Sequence, residues 1–205
     1  GLVIGDGNTI RENATVHCAL EEGHTTSVGH GCMLMVNAHV AHDCEIGDRV
    51  IIANNAMLAG HVAVADRAYI SGSVGIHQFC RVGTLAMVGG QAHIVKDIPP
   101  YVTIDGLSSF VVGLNQIGLR RANYSRAEIL RLKAAYRVIY RSNLTWTEVL
   151  SRAKAEFTEP PVDEFYRFLS TTTRGICPER RLPPGATIRL RSDEDSEQRL
   201  RAKAG

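Results

Sequence analysis

Four of the chain's eight histidines stand in short polar breaks, and their spacing is suited to chemistry. The segment MVNAHVAHDC carries His39 and His42, with Asp43 directly after the second. Gly60-His61 and His77-Gln78 follow. His42, Gly60 and Gln78 are 18 residues apart, and so are Asp43 and His61. A chain closing one coil every 18 residues would stack these positions about 4.8 Å apart, as neighbouring strands stack. One wall would then present an imidazole, a carboxylate, a glycine backbone and an amide together.

That set suits acyl transfer to a hydroxyl. A neutral imidazole can take the hydroxyl proton near pH 7. The adjacent carboxylate can fix its tautomer, and a glycine N–H can meet a developing oxyanion. No Ser or Cys sits beside the histidine in a nucleophile elbow, so direct attack by the acceptor is favoured over a covalent intermediate. A zinc site needs three or four converging ligands. His39 and His42, three apart on such a wall, would diverge, so no metal is expected.

The elements that must hold this wall are written in a six-residue period. Counting in sixes from Ile4 to Ile94, fifteen of the sixteen positions are aliphatic, Glu22 being the exception. The residue four places on is usually small or slim, as at Ala38, Cys44, Ala56, Ala68 and Cys80. This period is neither helical nor alternating. It predicts a parallel β-helix whose coils bury their inward residues against one another. The repeat is expected to occupy residues 1–104, with an excursion near 18–27 replacing one rung around EEGHTT. The chain starts in register without Met, so further upstream coils are expected.

After Pro99-Pro100 the pattern turns helical. Leu130, Ala134, Ala135, Val138 and Ile139 share a helical face. Ser125-x-x-Glu128 and Thr145-x-x-Glu148 read as capping boxes opening two helices. A further helix is predicted over 162–172. Residues 105–175 thus form a helical domain capping the solenoid. The composition of 176–205, rich in Arg, Asp, Glu and Pro, predicts a disordered tail.

The five cysteines lack C-x-x-C spacing, and Cys32, Cys44 and Cys80 fall in the inward slim column, so all are read as reduced thiols. No apolar run is long enough for a membrane span, and no signal peptide is evident, which points to a cytoplasmic protein. The net charge of +2 hides an asymmetry. Residues 1–104 carry 5 Lys/Arg against 9 Asp/Glu, and residues 117–156 carry 9 against 3. The basic block is a candidate surface for an acidic partner.

NAHVAHDCEIGDRVIIANNAMLAGHVAVAD, GIHQFCRVG, PPYVT, VGLNQIGLRR and AYRVIYRS together resemble the acyl-carrier-protein-dependent UDP-N-acetylglucosamine O-acyltransferase family, over about residues 2–175. The resemblance implies a left-handed parallel β-helix with a C-terminal α-helical domain. It also implies a homotrimer with sites between subunits, and no cofactor. The implied reaction, the first step of lipid A synthesis, moves a 3-hydroxyacyl chain from acyl carrier protein to the glucosamine 3-hydroxyl of UDP-N-acetylglucosamine. By motif, His42 is the general base, Asp43 its orienting carboxylate and Gly60 the oxyanion donor. His39, His61, His77 and Gln78 match substrate-positioning groups. Asn115 and Arg121 match nucleotide contacts, and Gly90 matches the position that limits acyl length. His42 and Gly90 are 48 residues apart, about 13 Å along a solenoid axis at strand spacing. The sequence departs from the family pattern at Cys18-Ala19-Leu20 after His17, and at Ile117. Competing readings are the related sugar-nucleotide N-acyltransferase, a coenzyme A-dependent sugar acetyltransferase, a non-catalytic hexapeptide scaffold, and a zinc-binding hexapeptide trimer. Neither nucleic acid nor a membrane is an expected partner.

Overall fold

A computed structural model describes residues 1–180. Its first half is a parallel β-helix of short strands that come in threes. These are β1 (Leu2–Ile4), β2 (Thr9–Ile10), β3 (Thr15–Val16), β4 (Thr26–Val28), β5 (Met33–Leu34) and β6 (His39–Val40). Then come β7 (Glu45–Ile46), β8 (Ile51–Ile52), β9 (Met57–Leu58), β10 (Ala63–Val64), β11 (Tyr69–Ile70) and β12 (Gly75–Ile76). The run closes with β13 (Arg81–Val82), β14 (Met87–Val88), β15 (His93–Ile94), β16 (Val102–Ile104) and β17 (Val111–Leu114). Up to β15 every third strand pairs, and β16 and β17 then extend one of the three sheets, whose orders are β1-β4-β7-β10-β13, β2-β5-β8-β11-β14-β16-β17 and β3-β6-β9-β12-β15. We call these the first, second and third sheets.

The six-residue period dictates this shape. In each repeat one aliphatic residue points inward, and from Leu34 to Ile94 these side chains are buried. Each contributes about 1.5–3 kcal/mol from leaving water. Three places after each aliphatic residue the chain turns a corner in the left-handed region, at Asn37, Asp43, Arg49, Asn55, His61, Arg67, Ser73, Phe79, Leu85 and Gln91. That conformation is uncommon for non-glycine residues. It recurs here because each corner is tied to the coil before it, as where the His61 N–H donates to the His42 carbonyl at 3.0 Å. The register therefore fixes which side chains share a corner.

One coil is longer than the others. Leu2 pairs with Thr26, whereas Ser27 pairs with Glu45 and Ala63 with Arg81. The first step thus spans 24 residues and the later ones 18, until the closing step from Met87 to Thr103, which spans 16. The six additional residues lie at the corner between β3 and β4. They leave the wall as a loop and fold against the next coil, so the excursion extends a corner rather than taking the place of a strand.

The chain then caps its own stack. β17 runs antiparallel to β16, ending the parallel second sheet. Helices follow as α1 (Gln116–Arg121), α2 (Arg126–Arg141), α3 (Trp146–Glu156) and α4 (Asp163–Ser170). Both anticipated capping boxes form, Ser125 with Glu128 and Thr145 with Glu148. The buried stripe of α2 differs from the expected one. Ile129, Leu132, Ala135, Tyr136, Val138 and Tyr140 face inward, while Leu130 and Ala134 are exposed. Two overlapping apolar stripes are written into this helix. The one carrying both tyrosines wins because it meets Cys177 and Glu179, which accept hydrogen bonds from Tyr140 and Tyr136. The first residues of the expected disordered tail are folded: Ile176 bridges to Asp97 and Glu179 to Val111. Residues 181–205 lie outside the described residues.

No helix among the described residues is long and apolar enough to cross a membrane. The cysteines are free thiols, and only Cys18 is exposed. Burial pushes the Cys44 thiol up to about 11 and that of Cys177 up to about 12. Since the thiolate is the reactive form, iodoacetamide at neutral pH is expected to label Cys18 alone in the native protein, and every cysteine after denaturation. Native labelling of Cys44, read by peptide mass, would show that the coils open.

Candidate active site

The corner from the third sheet into the first collects the chemistry. His42 and Asp43 follow β6, Gly60 and His61 follow β9, and His77 and Gln78 follow β12. His42 Nδ1 and Asp43 Oδ2 are 2.8 Å apart. The carboxylate can only accept, so Nδ1 carries the proton and Nε2 is left as the basic nitrogen. The imidazole packs directly over Gly60. A Cβ added there would fall 2.5 Å from His42 Cε1 and 2.6 Å from Nε2. Gly60 is thus required sterically by the ring stacked on it. Its N–H donates no hydrogen bond among the described residues.

Asp43 is held from several sides. Its own N–H donates to Thr26 Oγ1 at 2.7 Å, and Oδ2 accepts from the Leu20 N–H at 3.2 Å. His61 Nε2 lies 3.9 Å from the same oxygen. The Asp43 side chain is 4% exposed and that of His42 is 29% exposed, so solvent reaches the imidazole but not the carboxylate. Burial alone would raise the Asp43 carboxyl. The hydrogen bonds from His42 and Leu20 and the charges of His61 and His42 outweigh it, and the group sits below its ordinary value. It stays ionised through the neutral range, so an acid limb in activity would belong to an imidazole. His61 stands edge-on to His42, with ring centroids 5.3 Å apart, and stacks on the half-exposed Phe79 at 4.7 Å.

The other histidines of the wall are nearby and separately held. His39 projects outward from β6, with Nδ1 2.7 Å from Thr15 Oγ1 and its ring edge-on to His17. Burial, and then the neighbouring His17, hold its pKa below the ordinary histidine value. His77 and Gln78 are exposed, and His77 Nδ1 lies 3.1 Å from the Gln78 carbonyl.

Asn115 and Arg121 belong to a different face. They border a cavity of about 720 Å³ on the outside of the second sheet, with Arg67, Tyr69, Ser71 and Met87. The Asn115 amide is engaged within the chain: Oδ1 caps α1 at the Gly118 N–H, and Nδ2 donates to the Leu85 carbonyl, both at 2.9 Å. Arg121 is exposed at the end of α1. Gly90 lies at a third place, the corner between the second and third sheets. It is exposed, and a Cβ there would meet only the Gly72 carbonyl oxygen at 3.4 Å and Ser71 Cβ at 3.9 Å. Its neighbour Gly89 is closely confined, with a Cβ falling 2.7 Å from the Gly106 nitrogen and the Ile104 carbonyl oxygen. The backbone therefore demands glycine at 89 and not at 90.

Sequence reasoning missed Leu20, His24, Thr26 and Phe79. Leu20 and His24 reach Asp43 only because the long corner folds back on the next coil, which an 18-residue count cannot show, whereas Thr26 stands in β4, in step with the stack that pairs Ser27 with Glu45. Phe79 was legible, since it lies 18 residues beyond His61.

The β-helix is built on hexapeptide repeats, and residues 25–60 match the bacterial transferase hexapeptide model. Residues 97–177 match the second domain of UDP-N-acetylglucosamine O-acyltransferase. An acyl-[acyl-carrier-protein]–UDP-N-acetylglucosamine O-acyltransferase from Anaeromyxobacter is 45% identical over 177 residues, covering 85% of this chain and 69% of that protein. One of the same name from Gloeothece citriformis is 48% identical over 174 residues, covering 84% and 63%. The solved UDP-N-acetylglucosamine acyltransferase of Francisella novicida superimposes with a TM-score of 0.84 at 35% identity, covering 93% of this chain and 72% of that one. The chain belongs to the UDP-N-acetylglucosamine O-acyltransferase family, and it spans about two thirds of the length of these relatives.

Proposed function

We propose that the chain moves a 3-hydroxyacyl group from acyl carrier protein to the 3-hydroxyl of UDP-N-acetylglucosamine, with His42 as general base. The observation that carries this is the 2.8 Å His42–Asp43 pair, whose free Nε2 lies against Gly60 at a solvent-reachable corner. The sugar hydroxyl gives its proton to His42 Nε2 as its oxygen attacks the thioester carbonyl. The oxyanion meets the Gly60 N–H. Collapse breaks the carbon–sulfur bond, and His42 returns the proton to the departing carrier thiolate. His39, His61, His77 and Gln78 surround this corner and hold the sugar and acyl groups. The test is a mass-spectrometric assay with a 3-hydroxyacyl carrier protein and UDP-N-acetylglucosamine. An alkali-labile, singly acylated sugar nucleotide is expected. No transfer to this acceptor, with an alkali-stable amide formed when an amino-sugar nucleotide bearing a free amine is supplied instead, would indicate the N-acyltransferase, and no transfer to either acceptor would reject both.

One chain does not complete the site. His42 lies at the edge of the third sheet, whereas Asn115 and Arg121 lie over the second. A homotrimer that sets the corner of one subunit against the second sheet of the next would join them, with Arg121 meeting the nucleotide phosphates. Asn115 would serve there mainly by holding α1 in place.

Gly90 is the acyl ruler in this reading, because a side chain can be added there without backbone strain. Gly90→Met is expected to move preference toward shorter donors, with kcat for the shortest donors within about threefold of wild type. Comparing rates for short and long acyl carrier proteins checks this. An equal loss at every length would contradict it.

The carrier is acidic, and Arg120, Arg126 and Arg137 are exposed without an ion pair among the described residues. Exposed charges are screened beyond about 8 Å at physiological salt. The KM for the carrier is therefore expected to rise severalfold from low to high salt, while that for the sugar nucleotide changes less. A carrier KM indifferent to salt would remove these arginines from docking.

A further inference from the structure

The long corner brings one more titratable group to the dyad. Asp43 Oδ1 is buried and has no hydrogen-bond partner. His24 Nδ1, on the loop, lies 3.5 Å from it. His24 Nε2 in turn lies 3.4 Å from Glu21 Oε2. The His24 side chain is 52% exposed, so it can exchange protons with solvent, whereas the Asp43 side chain is 4% exposed. The groups facing Asp43 are thus His42 on its own corner, His61 on the next coil, and His24 backed by Glu21 on the loop.

We propose that His24 is a positioning residue of the dyad, acting through Asp43 to set the proton affinity of His42. This goes beyond the family reaction but rests on the reading of His42 as its base. The two imidazoles bracket one carboxylate, His42 at Oδ2 and His24 at Oδ1. When His24 is protonated it draws on the same negative charge that stabilises the His42 imidazolium, and it adds a like charge nearby. Both effects disfavour protonated His42. His42 then remains a free base to lower pH than the Asp43 pairing alone would allow. The loop also gains a reason to lie where it does, since the Leu20 N–H and His24 close on the carboxylate from one side.

The test uses two substitutions at one half-exposed site. His24→Gln keeps a donor and removes the charge, and His24→Lys keeps a charge. Histidine C–H resonances of the full chain, followed against pH, report the titration of His42 directly. Glutamine is expected to raise the His42 midpoint by about half a unit, and lysine to leave it at or below the wild-type value. The acid limb of kcat/KM should move in the same way. A His42 midpoint unchanged in His24→Gln, or a lysine variant that follows glutamine, overturns the proposal. The resonances read the coupling whether or not His42 is the base. A shifted resonance with an unshifted rate profile therefore leaves the His24–His42 coupling standing and removes the base assignment instead.

Discussion

His42→Ala is expected to lower kcat by about 10²–10⁴-fold, with KM for both substrates changed little. Among the described residues, Nε2 is the basic atom placed over Gly60, and Nδ1 is committed to Asp43 at 2.8 Å. The substitution removes the proton acceptor and leaves the wall that binds the substrates. His39, His61 and His77 are nearby, but none is paired with a buried carboxylate at hydrogen-bond distance. Steady-state rates at saturating carrier and sugar nucleotide check this. A variant that keeps kcat within a few-fold would move the base elsewhere on the wall.

Gly60→Ala is expected to cost about 10²-fold in kcat, through the same atom. The added methyl would stand 2.6 Å from His42 Nε2, closer than carbon and nitrogen can approach, so the ring must move. A displacement near 1 Å at a reacting group is worth about that factor. The backbone at residue 60 needs no positive φ, so the coil should still form. The expected signature is a low kcat with an unchanged melting temperature. A fall in melting temperature of many degrees, with kcat intact, would mean that Gly60 serves packing alone.

Much of this was legible because a solenoid repeats its instructions. Fifteen aliphatic positions in register specify the coil, and the 18-residue stack follows from it, so placing Gly60 beside His42 and His61 beside Asp43 needed only counting. Where the chain stops repeating, counting fails. The 24-residue step from Leu2 to Thr26 is set by how the loop packs, so the contacts of Leu20 and His24 with Asp43 could not be read. The buried face of α2 was misjudged because Leu130 and Ile129 both begin plausible apolar stripes, and partners distant in sequence choose between them. Asn115 illustrates a third limit. Its place in NQIGLRR marked it as a ligand contact, and the motif alone did not show that the same residue is the N-cap of α1.

The most direct measurement is intact-protein mass after mixing with 3-hydroxyacyl carrier protein, first without and then with UDP-N-acetylglucosamine. If His42 activates the sugar hydroxyl for direct attack, the chain keeps its unmodified mass throughout, and the acyl group appears only on the sugar nucleotide once that is added. A chain that gains one acyl group from the carrier, and loses it when UDP-N-acetylglucosamine arrives, would contradict this and place a covalent nucleophile in the reaction.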